Sequence, residues 1–388
     1  MNDGVMQVLA EKTGGKSYKA HKYGLDHANR PFIDYGEYDI VWEKTAETIP
    51  NRNYVSLEKE SRDIALRGEQ LLTYFLDGSR RVYKVDDYSY TVSGGRNVIY
   101  PIVVGQIGVG CCKRIDKIIK PEQFKREIVI SVPDIANADR KSGFFDAMAI
   151  KLSNLPVLKQ IGIKINAIVP YSTSKNSLEK FEDRGTAWIQ DRMIKAEKDM
   201  VVELVKKGML NQKNYLIKDG SLEYRPTKEI LKDSRKSQLY KNNYNWVIGV
   251  SKNFNLELCR DVNGKANPGF IADLPLYHRT PVACYRKPEL FGDIWFAVWY
   301  IRLHDKTRTR TAFDGIVKVE KMLVTQEENK HGIDSDLVDM LSALIINERN
   351  PVCYGSDLRW ANHLYPVYLT ETYVKSKYLS AESFLHLF

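Results

Sequence analysis

Two apolar runs in this chain end on an aspartate that is followed by glycine and serine. The first, LLTYFLDGS at 71–79, predicts a buried strand that ends at Asp77, with a sharp turn at Gly78. The second, NYLIKDGSL at 214–222, predicts a strand that delivers Asp219 into the same kind of turn. If the two strands pair, their carboxylates lie side by side.

A long amphipathic segment separates the two strands. From about 184 to 207, apolar residues recur at helical spacing, and Glu197 lies on this predicted helix between Lys195 and Lys198. The acids therefore occur in the order strand, helix, strand, which is the topology of the ribonuclease-H-like fold. We expect an α/β fold with a ribonuclease-H-like mixed sheet that is flanked by helices and elaborated by insertions.

The rest of the pattern predicts further elements around this core. Strands are predicted at 81–85, 89–92, 98–112, 127–132, 245–251, 294–303 and 315–323. Helices are predicted at 5–12, 58–72, 335–347 and 366–376. The strands after Asp77 suggest an antiparallel meander, and the last two strands a hairpin with its tip near 306–310. Gly105, Gly108 and Gly110 lack the GxGxxG spacing of a phosphate loop and indicate a bulge or a closely packed helix.

Composition is typical of a soluble globular protein, with 43% apolar and 28% charged residues. The formal net charge is +9, from 58 basic and 49 acidic residues. This charge suits a polyanionic partner, but many basic proteins bind none, so charge alone does not identify nucleic acid.

Cysteine usage and the lack of long apolar runs favour the cytoplasm as the compartment of this protein. The five cysteines contain no CxxC pair, which argues against a structural zinc site and for a reducing environment. The first residues do not have the pattern of a secretion signal, and no run of about 18 apolar residues occurs. We therefore expect a cytoplasmic protein.

Asp77, Glu197 and Asp219 are candidate metal ligands. Carboxylates are the oxygen ligands that Mg²⁺ and Mn²⁺ prefer, and two such ions about 3.5–4 Å apart can drive phosphodiester hydrolysis. Each acid also has a simpler explanation. An Asp-Gly pair is most often just a turn, and a glutamate between lysines is typical of a solvated helix face. Two such turns, each after an apolar strand, make the metal site a hypothesis worth carrying.

With these residues in place, the chain resembles the NurA nuclease family. The matching segments are FLDGSRR (75–81), YPIVVGQIGVG (100–110), YLIKDGSL (215–222), VIGVSK (247–252) and PVYLTETYVKS (366–376). The resemblance implies a ribonuclease-H-like nuclease that cleaves DNA with the help of two bound metal ions, Mn²⁺ or Mg²⁺. It also implies a homodimer that works with a HerA-type hexameric ATPase in DNA end processing or defence.

Taken position by position, the resemblance assigns metal binding and catalysis to Asp77, Glu197 and Asp219. Asp199 or Glu203 takes the place of Glu197 if the alignment shifts along the helix.

Two further family residues correspond less cleanly to this sequence. The family's central tyrosine matches Tyr277 or Tyr285. Its C-terminal histidine is a departure, because the helix at 366–376 contains no histidine. Either His363, just before that helix, takes the catalytic place, or Glu371 supplies a carboxylate instead. As a simpler explanation, a histidine among aromatic residues is often merely packed.

Basic residues offer candidate contacts to nucleic acid. Lys252, directly after the strand at 245–251, could hold a phosphate or the leaving oxyanion, or is a charged strand end. Phosphate contacts and stacking are predicted for Lys236, Lys241, Tyr244, Arg308 and Arg310. A charge run is more often a solvated face. No GxxxxGK[ST] motif occurs, so ATP-driven motion would need a partner.

The predicted organisation is an N-terminal arm at 1–56 and a NurA-like nuclease domain at 57–388, with insertions at about 113–183 and 253–292. The apolar C-terminal tail at 379–388 either docks in the core or forms a dimer or partner surface. The alternative function is a catalytically silent, nucleic-acid-binding scaffold or adaptor with the same fold.

Overall fold

The structure is a computed structural model. It describes residues 4–17, 22–25, 33–34, 41–43, 46–50, 52–92, 94–137, 139–174, 179–224, 226–255, 265–287, 292–351 and 359–388. Cys259, Cys353 and parts of the predicted N-terminal arm and of the insertion at 253–292 lie outside these ranges.

The helices follow the apolar periodicity closely where it is long. In chain order they are α1 (Val5–Thr13), α2 (Glu58–Arg67), α3 (Phe144–Ser153), α4 (Pro156–Gln160), α5 (Phe181–Lys206), α6 (Lys228–Lys232), α7 (Ser234–Asn242), α8 (Pro268–Ala272), α9 (Gln326–His331), α10 (Ser335–Asn347), α11 (Tyr365–Ser376) and α12 (Ala381–Leu385). The predicted bounds of α10 are those observed. Gly68 takes a left-handed conformation and ends α2 five residues before the predicted end.

The strands are short except for three. They are β1 (Lys16–Ser17), β2 (Tyr23–Gly24), β3 (Ile33–Asp34), β4 (Val41–Glu43), β5 (Val55–Ser56), β6 (Leu72–Thr91), β7 (Asn97–Ile115), β8 (Ile118–Pro133), β9 (Ala167–Tyr171), β10 (Tyr215–Asp219), β11 (Val247–Ser251), β12 (Phe254–Asn255), β13 (His278–Arg279), β14 (Ala283–Arg286), β15 (Phe296–Arg302) and β16 (Ile316–Met322).

One large mixed sheet forms the centre of the fold, with the order β4-β14-β15-β16-β11-β10-β6-β7-β8-β9. Within it, β6, β7 and β8 form an antiparallel meander, and β10 and β11 run parallel to β6. In order of the chain, these five core strands are arranged 3-2-1-4-5. This is the ribonuclease-H-like arrangement, and helices flank the sheet, so the predicted α/β fold class is confirmed.

Strand β6 is longer than predicted. Asp77 and Gly78 lie inside it, paired with Gly110 and Val109 of β7, rather than in a turn at its end. The three predicted strands between 71 and 92 are one strand, with an irregularity between Lys84 and Asp86. The prediction of a turn at Gly78 is wrong, because β7 supplies backbone partners along almost the whole length of β6.

The two faces of the core sheet carry different helices. Met193 and Leu204 of α5 share a core with Leu76 on one face. On the other face, Leu341 of α10 and Val367 of α11 share a core with Phe75. Successive strand residues point to opposite faces, so neighbours in the sequence enter different cores.

Glycines let both helix layers approach β7 closely. A Cβ atom at Gly105 would lie 2.6 Å from Ile189 of α5, and one at Gly110 would lie 2.5 Å from Val374 of α11. Real Cβ atoms do not make such contacts, so these positions require glycine. Of the two explanations offered by the sequence, close helix packing is the one observed.

The C-terminal tail docks on the fold. Phe384 of α12 is fully buried in the core that contains α1, and Leu387 and Phe388 pack against the same core. Among the described residues, no helix is long and apolar enough to cross a membrane.

Candidate metal centre

Asp77 and Asp219 project from neighbouring parallel strands toward the same face of the sheet. Leu76 is paired with Lys218 in the last registered step between β6 and β10, and the two aspartates follow directly. Each aspartate lies two residues beyond a member of the core under α11, Phe75 or Ile217. The side-by-side placement predicted from the sequence is therefore observed, and Asp77 is only 4% exposed.

Glu371 of α11 completes a group of three acids. One carboxylate oxygen from each of Asp77, Asp219 and Glu371 lies within 4.8 Å of the others. The helix reaches the strands because Val374, three residues on from Glu371, packs over Gly108 and Gly110 of β7. The glycines thus set how near the Glu371 carboxylate comes to the aspartates.

A buried lysine lies among these carboxylates. Lys252 follows β11, and its Nζ atom is 2.7 Å from Asp219 Oδ2 and 3.6 Å from Glu371 Oε2. Burial lowers the pKa of Lys252, but Asp219, Glu371 and Asp77 outweigh this effect and raise the pKa above its ordinary value. Lys252 therefore contributes a positive charge to the site in this arrangement.

Neighbouring charges shift the pKa values of the two aspartates in opposite directions. Burial, and then the charge of Asp219, raise the pKa of Asp77 well above its usual range. Burial also raises the pKa of Asp219, but the Lys252 ammonium more than offsets this and holds the pKa below its usual range. Lys252 therefore favours the ionised form of Asp219 more than that of Asp77.

The donor set suits a hard divalent cation. Three carboxylates from three separate elements converge, and oxygen ligands of this kind are those that Mg²⁺ and Mn²⁺ take. Within the part of the chain that the structure describes, Glu371 Oε2 is buried at this site and makes no hydrogen bond. A buried polar atom is rarely left in that state, so the site fits a ligand that would use it.

The fold is similar to that of a NurA nuclease. The solved structure is that of the NurA nuclease from Sulfolobus solfataricus, which is 11% identical, with 85% of this chain and 92% of that chain covered and a TM-score of 0.43. No protein-family model and no curated protein matches the chain.

Glu197 lies on the opposite face of β6 from the three acids. Its carboxylate lies directly over Gly78, where any Cβ atom would clash with it. Glu197 Oε2 accepts a hydrogen bond of 2.8 Å from the Tyr224 hydroxyl and lies 3.3 Å from Lys218 Nζ. Glu197 lines the same cavity as Asp77 and Asp219 but is outside the group of three.

The alternatives to Glu197 on α5 lie at the surface. Asp199 pairs with Lys195, Glu203 pairs with Lys207, and all four side chains are about half exposed. Neither acid faces the two strand aspartates.

His363 and the two tyrosine candidates lie at different distances from the acids. His363 is buried, its Nδ1 atom is 4.0 Å from Glu371 Oε2, and its ring packs edge-on against Tyr368. Tyr285 is buried and donates a hydrogen bond to Glu223, which lines the cavity. Tyr277 lines a separate cavity with Arg349 over its ring. Of the two residues that the sequence offered in place of the C-terminal histidine, Glu371 lies within the group of three acids and His363 lies beside it.

The acids lie where two connected cavities meet, each of about 660 Å³. We call the first the lysine arm, since Lys218, Lys287 and Lys318 line it, and the second the arginine arm, since Arg80, Arg81 and Lys375 line it. Asp77, Asp219 and Lys252 line both arms. A chain of phosphates entering either arm would therefore meet basic groups on its way to the acids.

Each lysine of the lysine arm is paired with a glutamate. Lys218 pairs with Glu197, Lys287 with Glu223 at 2.6 Å, and Lys318 with the fully buried Glu320. Glu320 Oε2 also accepts hydrogen bonds from Ser221 Oγ and the Leu222 amide, which holds the turn after Asp219.

The predicted DNA contacts lie in two places. Arg308 and Arg310 are exposed in the connection between β15 and β16, and that connection leaves the sheet at the edge where β11 ends near Lys252. Lys236 is exposed and Lys241 half-buried on α7. Tyr244 is 1% exposed and packs against Tyr240 and Tyr224, so its ring offers no face to a nucleobase.

Sequence reasoning did not find Tyr224, Lys218 or Ser251. Tyr224 and Lys218 flank Asp219 at short distance in the chain and bind Glu197, and Ser251 directly precedes Lys252. The alternation of β10 was the available signal, because it places Lys218 on the face opposite Asp219 and toward α5.

Proposed function

We propose that the protein is a metal-dependent nuclease that hydrolyses phosphodiester bonds in DNA. The observation that carries this proposal is the convergence of Asp77, Asp219 and Glu371 around a buried lysine, at the junction of two cavities that are lined by both basic and acidic side chains. It is also the activity that the sequence resemblance implies.

The acids and the residues that contact them have different proposed roles. Asp77, Asp219 and Glu371 would hold one Mn²⁺ or Mg²⁺ ion, and Glu197, in the same cavity, is the candidate ligand for a second. Bound divalent ions supply a nucleophilic water near neutral pH and stabilise charge on the phosphate. Lys252 neutralises the acids, and Tyr224 and Lys218 hold Glu197 in place.

Substrate positioning falls to the basic groups around the acids. Arg80, Arg81, Lys375 and Arg359 line the arginine arm and would bind phosphates of the strand on one side of the scissile bond. Arg308 and Arg310 would add contacts farther along the same edge of the sheet. Because such groups contact the backbone phosphates and not the bases, we expect binding without sequence specificity. A HerA-type ATPase, a homodimer and a role in DNA end processing or defence remain part of the proposal through the sequence resemblance.

The test is degradation of end-labelled linear DNA in Mn²⁺ by the wild type, by Asp77→Asn and by Asp293→Asn, whose side chain is 95% exposed. We expect the wild type and Asp293→Asn to cut and Asp77→Asn to be inactive, with all three folded by circular dichroism. Linear and circular substrates run side by side separate exonuclease from endonuclease action.

The second candidate is the silent scaffold. The buried Lys252 favours it, because a lysine can neutralise an acidic cluster without any metal. A scaffold would bind DNA, cut none with or without a HerA-type partner, and gain no thermal stability from Mn²⁺, whereas a metal site raises the melting temperature with ion concentration.

A further inference from the structure

The Lys252 ammonium lies among the same carboxylates to which the divalent ion is assigned. It is 2.7 Å from Asp219 Oδ2 and 3.6 Å from Glu371 Oε2, and the side chain is only 9% exposed. With one oxygen from each acid within 4.8 Å of the others, the space between them is small. A positive charge therefore already lies against two of the three proposed ligands.

A divalent ion and a buried ammonium repel one another strongly at a few ångströms, because the surroundings screen charge poorly. Lysine carries its ammonium on a long, flexible stem, and Lys252 lines both the lysine arm and the arginine arm. The ammonium thus has room to leave the carboxylates and still remain in the cavity.

We propose that Lys252 is an internal counter-ion, which holds the cation site until a divalent metal displaces it and then binds a phosphate of the substrate strand. This inference rests on the proposed function. The displaced ammonium would lie in a cavity that phosphates enter, where an anion is the partner that satisfies its charge.

With Lys252 in this role, metal binding and binding of the substrate strand promote each other. A metal ion that releases Lys252 gives the phosphate an extra ligand, and a phosphate that takes Lys252 frees the carboxylates for the metal. Coupling between two binding sites is reciprocal, so each ligand must raise the affinity of the other by the same factor.

The experiment is calorimetric titration of Mn²⁺ into the metal-free, full-length protein. The variants are Lys252→Met, Lys252→Arg and the control Lys207→Met, which removes a lysine from a surface pair with Glu203. We expect Lys252→Met to bind Mn²⁺ about tenfold more tightly than the wild type, and to melt at a lower temperature without metal. Lys252→Arg should bind Mn²⁺ several-fold more weakly, because a guanidinium holds carboxylates in two-pronged pairs. Lys207→Met should match the wild type.

The coupling is measured by repeating the titration with a short single-stranded oligonucleotide that carries phosphorothioate linkages and is checked to stay intact. The oligonucleotide should tighten Mn²⁺ binding several-fold in the wild type and leave it unchanged in Lys252→Met.

Equal or weaker Mn²⁺ binding by a folded Lys252→Met overturns the inference, while Asp77-dependent binding by the wild type leaves the proposed function standing. If Lys252→Met does not fold, unchanged Mn²⁺ binding by Lys252→Arg overturns the inference instead. A wild type that takes up no Mn²⁺ overturns both.

Discussion

Asp77 and Asp219 lie next to each other on parallel strands, yet their pKa values move in opposite directions. Burial and the neighbouring carboxylate raise that of Asp77, whereas Lys252 holds that of Asp219 down against the effect of burial. Ionisation of the two acids therefore has opposite effects on the stability of the metal-free protein, although both would bind the same ion.

We predict that Asp77→Asn stabilises the metal-free protein at neutral pH. The unfolded chain ionises Asp77 from about pH 3.9. The folded chain does so only at higher pH, so stability is lost as pH rises from that value through the raised pKa. An amide removes this loss, with an expected gain of about 1–2 kcal/mol at pH 7 that shrinks toward pH 4. Urea unfolding across this range in a chelator provides the measurement, and a constant difference at all pH values contradicts it.

Asp219→Asn is the matched variant and should act in the opposite direction. A depressed folded-state pKa gives stability above the unfolded pKa of about 3.9, which is lost as pH falls through the lower value. Replacing Asp219 leaves Lys252 without its 2.7 Å partner, at an expected loss of about 1–3 kcal/mol near neutral pH. Equal effects of the two substitutions would show that Lys252 does not distinguish the acids.

We predict that Glu371→Gln and Glu197→Gln separate two roles. Glu371 is within the group of three acids, so Glu371→Gln should abolish the tight binding of Mn²⁺ and the stability that this binding adds. Glu197 is held by Tyr224 and Lys218 on the other face, so Glu197→Gln should keep that site and lose cleavage. Thermal melts against Mn²⁺ concentration, run beside a cleavage assay, give both values. Reversed results would make Glu197 the third ligand.

We predict that Gly110→Ala weakens metal binding although no acidic residue is replaced. The added methyl group would meet Val374 at 2.5 Å and push α11, with Glu371, away from the sheet. The expected loss is about 1–3 kcal/mol of stability together with weaker Mn²⁺ binding. Val374→Ala in the same chain should restore much of both, whereas Gly4→Ala, where an added Cβ meets nothing within 4 Å, should change neither.

We predict that Arg308→Ala with Arg310→Ala lowers affinity for single-stranded DNA and flattens its salt dependence. Each phosphate contact that is lost should reduce the slope of log affinity against log salt by about 0.7 for a single strand. Fluorescence anisotropy in a chelator, from low to moderate salt, measures the slope. Lys236→Ala with Lys241→Ala, on α7, tests the other basic segment in the same way, and an unchanged slope removes the segment concerned from the binding surface.

Much of the fold follows from apolar periodicity. The helices at 181–206, 335–347 and 365–376 and the hairpin of β15 and β16 have bounds close to those predicted, because each has a long regular pattern. The strand at 72–91 was divided wrongly, since Asp-Gly-Ser and Asp-Asp are typical of turns and nothing local shows that β7 pairs along them.

The candidate site was half predictable. Asp77 and Asp219 could be placed together from two similar strand ends, but the face toward which they point depends on which helix covers it. Gly108 and Gly110 lie on that face, where the sequence left open a bulge or a close helix. The resemblance offered Glu371 as an alternative to His363, but no local pattern showed that its helix would pack over these glycines. Glu197 could be assigned to α5 but not to the opposite side of the strand, since that needs the register of β6 against β10.

The acids come from distant parts of the chain, at positions 77, 219 and 371. On the proposed function, this order governs when the enzyme becomes active during translation. A ribosome-bound chain has already made both aspartates and Lys252 when Glu371 has yet to be added. The unfinished protein then carries a lysine to neutralise its two acids but lacks the third proposed ligand, so on this proposal a nascent chain has no complete metal site until α11 has docked.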